Sequence, residues 1–167
     1  MPSPDANNTL RDLVAADREP LELLLRETGA FTPEEVDCAL ELLDLVLNDP
    51  SQKDYHVIVS TRGEAVAGYV LFGPVPLTLG TFDVYWIATS PSFQNQGHGR
   101  RLMVRCEEAM RDMGGRLVCI ETSSQESYVA TQAFYTALGY EIASRIRDFY
   151  KPGDDRLTYV KRLTDPL

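Results

Sequence analysis

A strand, a turn with two glycines and a helix follow one another between residues 82 and 113. The turn contains Gly97 and Gly99, and the residues after it are apolar at helical spacing. The start of a helix offers unpaired backbone N–H groups and a partial positive charge. Glycines let a phosphate approach those groups without meeting a Cβ. The segment therefore predicts a loop that cradles an anion, and a diphosphate fits it best.

Other interpretations of these glycines are possible. A P-loop would need Lys-Ser or Lys-Thr after the last glycine, and neither is present. A dinucleotide fingerprint would need a small third residue where Met103 follows Leu102. A turn that needs glycine only for its conformation remains an alternative on the glycines alone.

The N-terminal third of the chain is predicted to be helical. Residues 10–26 carry spaced leucines interrupted by Pro20, which indicates one or two short helices. Thr32 precedes Pro33 and two glutamates, the pattern of a capped helix start. That second helix is predicted to run to Leu47.

The remainder of the chain alternates strands and helices. Six further segments are predicted: a hairpin of Tyr55–Ser60 and Ala65–Phe72, a strand at Leu117–Thr122, a helix at Val129–Leu138, and strands at Tyr140–Tyr150 and Leu157–Leu163. Helices, three strands, a helix, a strand, a helix and two strands define an α+β fold with a mixed sheet. No repeat or linker interrupts it, so we expect a single domain over residues 1–167.

Composition narrows the function classes. The net charge of −9 disfavours nucleic acid and anionic lipid as partners and mildly favours a cationic substrate. No apolar run approaches the roughly 20 residues that span a bilayer, and the N-terminus lacks the features of a signal peptide. We therefore expect a cytoplasmic protein without membrane contact. Three scattered cysteines and two histidines predict neither a metal site nor a disulfide framework.

Two motifs resemble those of one enzyme superfamily. Residues 94–99 read QNQGHG, which resembles the signature Q/R-x-x-G-x-G/A of the GNAT acetyltransferases. About forty residues later, residues 134–140 read FYTALGY, similar to the second motif of that superfamily. The resemblance implies a mixed, mostly antiparallel central sheet flanked by helices. It also implies an acetyl-CoA-binding core at residues 55–163 and a helical substrate-covering region at residues 1–50.

The resemblance further implies an acetyl-CoA-dependent N-acetyltransferase and assigns its cofactor-binding residues. The strand end formed by Ile87, Ala88 and Thr89 would bind the pantetheine arm through main-chain groups and polarise the thioester carbonyl. The diphosphate would lie on the amides of Gln94, Asn95, Gln96, Gly97, His98, Gly99 and Arg100. Where relatives often carry Asn and Ala before the second motif, this chain has Tyr128 and Thr131. A coenzyme contact at Thr131 thus departs from the pattern of the family.

Three residues are candidates for acid–base catalysis. Tyr135 aligns with the general acid that protonates the departing thiolate, although an aromatic residue at helical spacing also fits a core. An alkylammonium has a pKa of about 10.4, so a base must remove its proton before attack. Asp83 and Glu121 are the candidates, and water is an alternative to both. Either carboxylate could instead pair with an arginine, for example Arg100, Arg145 or Arg147.

We expect the acceptor to be a small-molecule amine. A protein or peptide amine, a longer acyl group on the coenzyme and a non-catalytic acyl-CoA-binding module are the alternatives. The C-terminal strands could also pair across a homodimer.

Overall fold

The computed structural model describes residues 7–164. The chain divides into two compact units. The first contains Met1–Gly73 and Trp86–Glu108, and the second contains Pro74–Tyr85 and Ala109–Leu167.

The described residues form four α-helices and seven strands. The helices are α1 (Arg18–Glu27), α2 (Pro33–Asn48), α3 (His98–Asp112) and α4 (Val129–Ala137). The strands are β1 (Asn8–Asp12), β2 (His56–Arg62), β3 (Ala65–Pro74), β4 (Thr81–Thr89), β5 (Leu117–Ser123), β6 (Glu141–Lys151) and β7 (Asp154–Arg162). They follow the order β1-β2-β3-β4-β5-β7-β6 in one sheet. Only β4 and β5 are parallel among the pairings described, which confirms the predicted α+β fold with a mixed, mostly antiparallel sheet.

Helix α2 of the first unit begins where the sequence predicts. The Thr32 hydroxyl accepts a hydrogen bond from the Glu35 amide, and the Glu35 carboxylate accepts one from the Thr32 amide. This reciprocal cap satisfies two amides that the helix itself leaves unpaired. Leucines of α1 and α2 pack with Val57, Val59 and Tyr69 into the core of this unit.

The predicted helix over residues 10–26 is wrong in its first part. Residues Asn8–Asp12 form strand β1, and α1 begins only at Arg18. Leu10 pairs with Ser60 in an antiparallel register against β2. Pairing with a distant strand satisfies the backbone here and overrides the local helical pattern. The region at residues 1–50 therefore contains a strand as well as helices.

The second unit has one buried and one open sheet face. Alternate residues Phe82, Val84, Val118 and Ile120 are buried. Their neighbours on β4 and β5 point to the other face, because side chains alternate along a strand. Strand β6 lies at the edge of the sheet, and its side chains are all exposed.

The β6 strand is interrupted near its end. Ile146 pairs with Arg156 and Lys151 pairs with Asp154, so residues 147–150 oppose Asp155 alone. The Asp155 carboxylate accepts hydrogen bonds from the Asp148 amide at 2.9 Å and from Arg145 Nε at 2.5 Å. Asp148 itself has a left-handed backbone with φ of 53°. The Asp155 carboxylate thus stabilises this irregular segment, in which four residues of β6 oppose one residue of β7.

Candidate active site

The predicted anion loop of the first unit has the expected geometry. Strand β4 ends at Thr89, a 3₁₀ turn covers Pro91–Phe93, and α3 begins at His98. The Arg101 amide donates to the Gly97 carbonyl at 3.1 Å. The amides of residues 98–100 precede that bond and have no acceptor inside the helix. Because α3 has 15 residues, its dipole adds a partial positive charge at this end.

Gly97 is required by the backbone of this loop. Its φ is 83°, in the left-handed region that residues with a side chain rarely adopt. A Cβ built there would lie 3.1 Å from Arg101 Nη1, and Arg101 Nη2 donates to the Gln96 carbonyl at 3.3 Å. Arg62 of β2 donates to the Gln96 side chain. Arg62 and Arg101 therefore both hold Gln96 in place. Gln94, Asn95 and Gln96 are exposed.

His98 is the one side chain of this loop that is buried, at 1% exposure. Its Nδ1 lies 2.7 Å from the hydroxyl oxygen of Ser60, which is also buried. Its Nε2 is buried and has no hydrogen-bond partner among the described residues. Burial, and then the charges of Arg101 and Arg62, lower the pKa of His98. The hydrogen bond between the neutral imidazole of His98 and Ser60 thus connects the first residue of α3 to β2. The sequence did not indicate this role.

The strand end assigned to the pantetheine arm lies against β3. Ala88 is buried, and Ile87 and Thr89 are half-buried. A Cβ on Gly68 would come within 2.7 Å of the Ala88 carbonyl oxygen. The absence of a side chain at Gly68 is what allows this backbone approach.

The second unit brings the two candidate carboxylates onto one face. Asp83 lies opposite Cys119 in the parallel register of β4 and β5, and Glu121 is the next residue on the same side. Burial, and then repulsion by Glu121, raise the pKa of the half-buried Asp83. The same face includes the thiol of Cys119, whose pKa is raised by burial and by both carboxylates. Cys119 is half-buried on this face.

Glu121 also has an arginine neighbour, but not one of those proposed from the sequence. Its Oε1 lies 3.6 Å from Arg156 Nη1, and its side chain is 56% exposed. Arg145 instead pairs with Asp155.

Tyr135 lies in an aromatic cluster of the second unit. Its ring centroid is 5.6 to 6.0 Å from those of Phe134, Tyr140 and Tyr159. The residue is 4% exposed, and burial raises the pKa of its phenol well above the usual range. The hydroxyl therefore stays protonated at neutral pH. Its assignment as the general acid remains a prediction.

Thr131 lies in the first turn of α4 and is half-buried. The next residue, Gln132, donates from Nε2 to the Ser123 carbonyl at 3.1 Å and ties α4 to the end of β5. The contact of Thr131 with a coenzyme also remains a prediction.

Two other kinds of feature are absent from residues 7–164. No group of three or more His, Cys, Asp and Glu side chains is placed to hold a metal ion. None of the helices in that range is long and apolar enough to cross a membrane.

Comparison with known proteins identifies the family. Residues 53–142 match the family model described as the acetyltransferase (GNAT) domain. One similar protein is an acetyltransferase of the GNAT family from Desulfovibrio desulfuricans, known from a crystal structure. Its sequence is 37% identical to this chain, and the two structures superpose with a TM-score of 0.91. The match covers 94% of this chain and 99% of that one. This chain therefore belongs to the GNAT acetyltransferase family.

More distant structures share the fold. The ribosomal-protein-S18-alanine N-acetyltransferase from Escherichia coli is 19% identical with a TM-score of 0.77, covering 96% of each chain. The acetyltransferase yncA from Salmonella typhimurium, solved with its cofactor acetyl-CoA, is 19% identical with a TM-score of 0.76, covering 97% of each chain. A search among curated proteins found no match.

Proposed function

We propose that this protein transfers the acetyl group of acetyl-CoA to the primary amine of a small molecule, by direct attack of the amine on the thioester. The observation that carries the proposal is the start of α3, where unpaired amides follow the left-handed Gly97. Membership of the GNAT family and the acetyl-CoA in the Salmonella structure support it.

The residues of the α3 loop suit the diphosphate of the coenzyme. The amides of residues 97–100 would donate to its oxygens, and the helix dipole would offset its charge. Main-chain groups of Ala88 and Thr89 would hold the pantetheine arm in the manner of an added strand. Acetyl-CoA supplies an acetyl group activated as a thioester.

Asp83 is the better of the two candidate bases. Its raised pKa makes it a stronger proton acceptor than an ordinary aspartate, whereas Glu121 is exposed and lies near Arg156. After Asp83 has taken one proton from the ammonium, the amine nitrogen forms a bond to the acetyl carbon. The C–S bond breaks, and its electron pair leaves on sulfur. The sulfur takes a proton and departs as the coenzyme A thiol, and the amide nitrogen loses its surplus proton to solvent.

Tyr135 is proposed as the acid that protonates sulfur. The phenol is protonated at neutral pH, so it has a proton to donate as negative charge develops on the sulfur.

A small-molecule acceptor is proposed because the chain is anionic. The net charge of −9 disfavours polyanions and is compatible with a cationic amine. Since a lysine-rich peptide is also cationic, the acceptor class must be tested directly.

The experiment is an acetyl-transfer screen with the full chain. Release of the coenzyme A thiol is measured over panels of amines, amino acids and lysine-containing peptides, and products are verified by mass. We expect thiol release that depends on a free primary amine. Binding of acetyl-CoA without transfer to any acceptor would show a non-catalytic module instead. Faster acetylation of a lysine-rich peptide than of any small amine would make the acceptor a protein.

A further inference from the structure

Arg156 lies on the same open face of the second unit as the two carboxylates. It pairs with Ser123 in the antiparallel register of β5 and β7, and Glu121 is two residues before Ser123. Residues two apart on a strand point to the same side, so Arg156 and Glu121 are diagonal neighbours. Their closest atoms are 3.6 Å apart, which is longer than an ordinary hydrogen bond. The ion pair is therefore loose.

The guanidinium of Arg156 is held in place by an aromatic ring. Its central carbon lies 4.5 Å above the ring centroid of Phe149. Such stacking orients the planar group without using its N–H donors. Its Nε is buried and has no hydrogen-bond partner within residues 7–164. Since a guanidinium has five N–H donors, the loose contact with Glu121 leaves much of this capacity unused.

The carboxylates beside Arg156 complete the charge pattern. Asp83 and Glu121 repel one another, and this repulsion contributes to the raised pKa of Asp83. A cation placed near both would relieve the repulsion. The face therefore carries two interacting negative groups, and one of them, Glu121, lies next to the positive Arg156.

We propose that the acceptor is an α-amino acid, whose carboxylate binds Arg156 and whose amine lies beside Asp83 and Glu121. This inference rests on the proposed function and names the substrate class of the same site. An α-amino acid carries its ammonium and carboxylate on one carbon atom, so its opposite charges are as close as those of the protein pair. Its carboxylate replaces Glu121 at Arg156, and its ammonium replaces Arg156 at Glu121.

This exchange favours a zwitterion over other amines. Each charge of the zwitterion meets an opposite charge on the face, so neither Arg156 nor Glu121 loses its partner when the substrate binds. A planar guanidinium suits a carboxylate because it can donate two parallel hydrogen bonds. A diamine would instead bring a second cation toward Arg156 and be repelled. Once the ammonium has given its proton to Asp83, transfer proceeds as described above, with the carboxylate unchanged.

The test compares each amino acid with the amine that lacks only its carboxylate. Phenylalanine is paired with phenethylamine and lysine with cadaverine, and thiol release gives kcat/KM for each. We expect the acid to exceed its matched amine by about 10- to 100-fold, the range that a charge-assisted hydrogen bond supplies. Arg156→Gln should reduce this ratio toward one, mainly by raising KM for the acid. Arg156→Lys should restore part of it.

Arg162→Gln is the matched control. Arg162 lies on the same strand and the same side of it, six residues away and exposed, so its loss removes the same charge without touching the proposed site. The acid-to-amine ratio should then equal that of the wild type. The melting temperature and coenzyme A affinity of each variant show whether the fold is retained. If Arg156→Gln does not fold, the inference is tested by the acid-to-amine ratios of the wild type and of Arg156→Lys.

The two failures can be told apart. A wild-type ratio near one, or a ratio that survives both Arg156 substitutions, overturns the amino-acid inference and leaves the proposed function standing. If no amine in any panel supports thiol release, the proposed function is overturned and the inference with it.

Discussion

Replacing Ser60 with alanine tests how the loop at residues 94–99 is attached to β2 through His98. The Ser60 hydroxyl and His98 Nδ1 are 2.7 Å apart, and both residues are almost completely buried. Alanine fits the space but cannot form the bond. Because His98 Nε2 already has no partner among the described residues, the variant leaves both ring nitrogens unpaired in the interior.

The magnitude follows from the cost of an unpaired buried group. We expect Ser60→Ala to lower the free energy of unfolding by about 1–3 kcal/mol. For a domain of this size, each kcal/mol shifts the melting temperature by roughly 2–4 °C. His98→Leu also removes the bond, but it leaves no unpaired nitrogen behind. The double variant should therefore be more stable than the sum of the single effects predicts, by about 1 kcal/mol.

Urea unfolding of the four proteins, followed by circular dichroism, measures this coupling. Ser92→Ala is the control, because Ser92 is exposed in the same loop. Effects of Ser60→Ala and His98→Leu that add within about 0.4 kcal/mol would refute the reasoning, since independent sites add to that precision.

The pH dependence provides a second measure. The pKa of His98 is lowered in the folded protein, whereas an unfolded histidine titrates near 6.5. The unfolded chain therefore binds more protons as the pH falls below about 6.5. The contribution of neutral His98 to stability is present above that pH and is lost as the pH falls through the folded pKa. Stability of His98→Leu should fall less than that of the wild type over this range, and parallel curves would contradict the assignment.

Four further substitutions test coenzyme binding and the reaction. Gly97→Val should abolish coenzyme A binding in calorimetry while circular dichroism stays native, because no valine fits a φ of 83°; wild-type affinity would place the cradle elsewhere. Tyr135→Phe should lower kcat by about 100-fold or more with little change in acetyl-CoA affinity, and an unchanged kcat would make it a packing residue. Asp83→Asn should move the pH–rate profile to higher pH. Glu121→Gln should move its acidic limb lower by relieving the repulsion that raises the pKa of Asp83, and a shift to higher pH would make Glu121 the base.

The features that the sequence predicted well depend on near neighbours. The cap of α2 involves residues 32–35, and the turn before α3 involves residues 94–101. In each case the groups that satisfy the backbone lie within one or two helical turns. Residue type and spacing are then sufficient to predict the structure.

The features that were missed depend on residues far apart in the chain. Strand β1 exists because it pairs with β2, about fifty residues later in the chain. Ser60 and His98 are 38 positions apart, and nothing in either segment indicates the other. Arg156 reaches Glu121 only through the register of β5 and β7, which local periodicity does not fix.

The bulge in β6 bears on how this protein avoids aggregation. A long exposed edge strand is a template on which another chain can add a strand. Here the register of β6 against β7 shifts between Ile142 and Ser144 and again after Ile146, where Asp155 holds the Asp148 amide. An incoming strand would therefore find only short runs of regular backbone to pair with. Replacing Asp155 would remove the contact that holds the second irregularity, and would lengthen the regular edge on which another chain can add a strand.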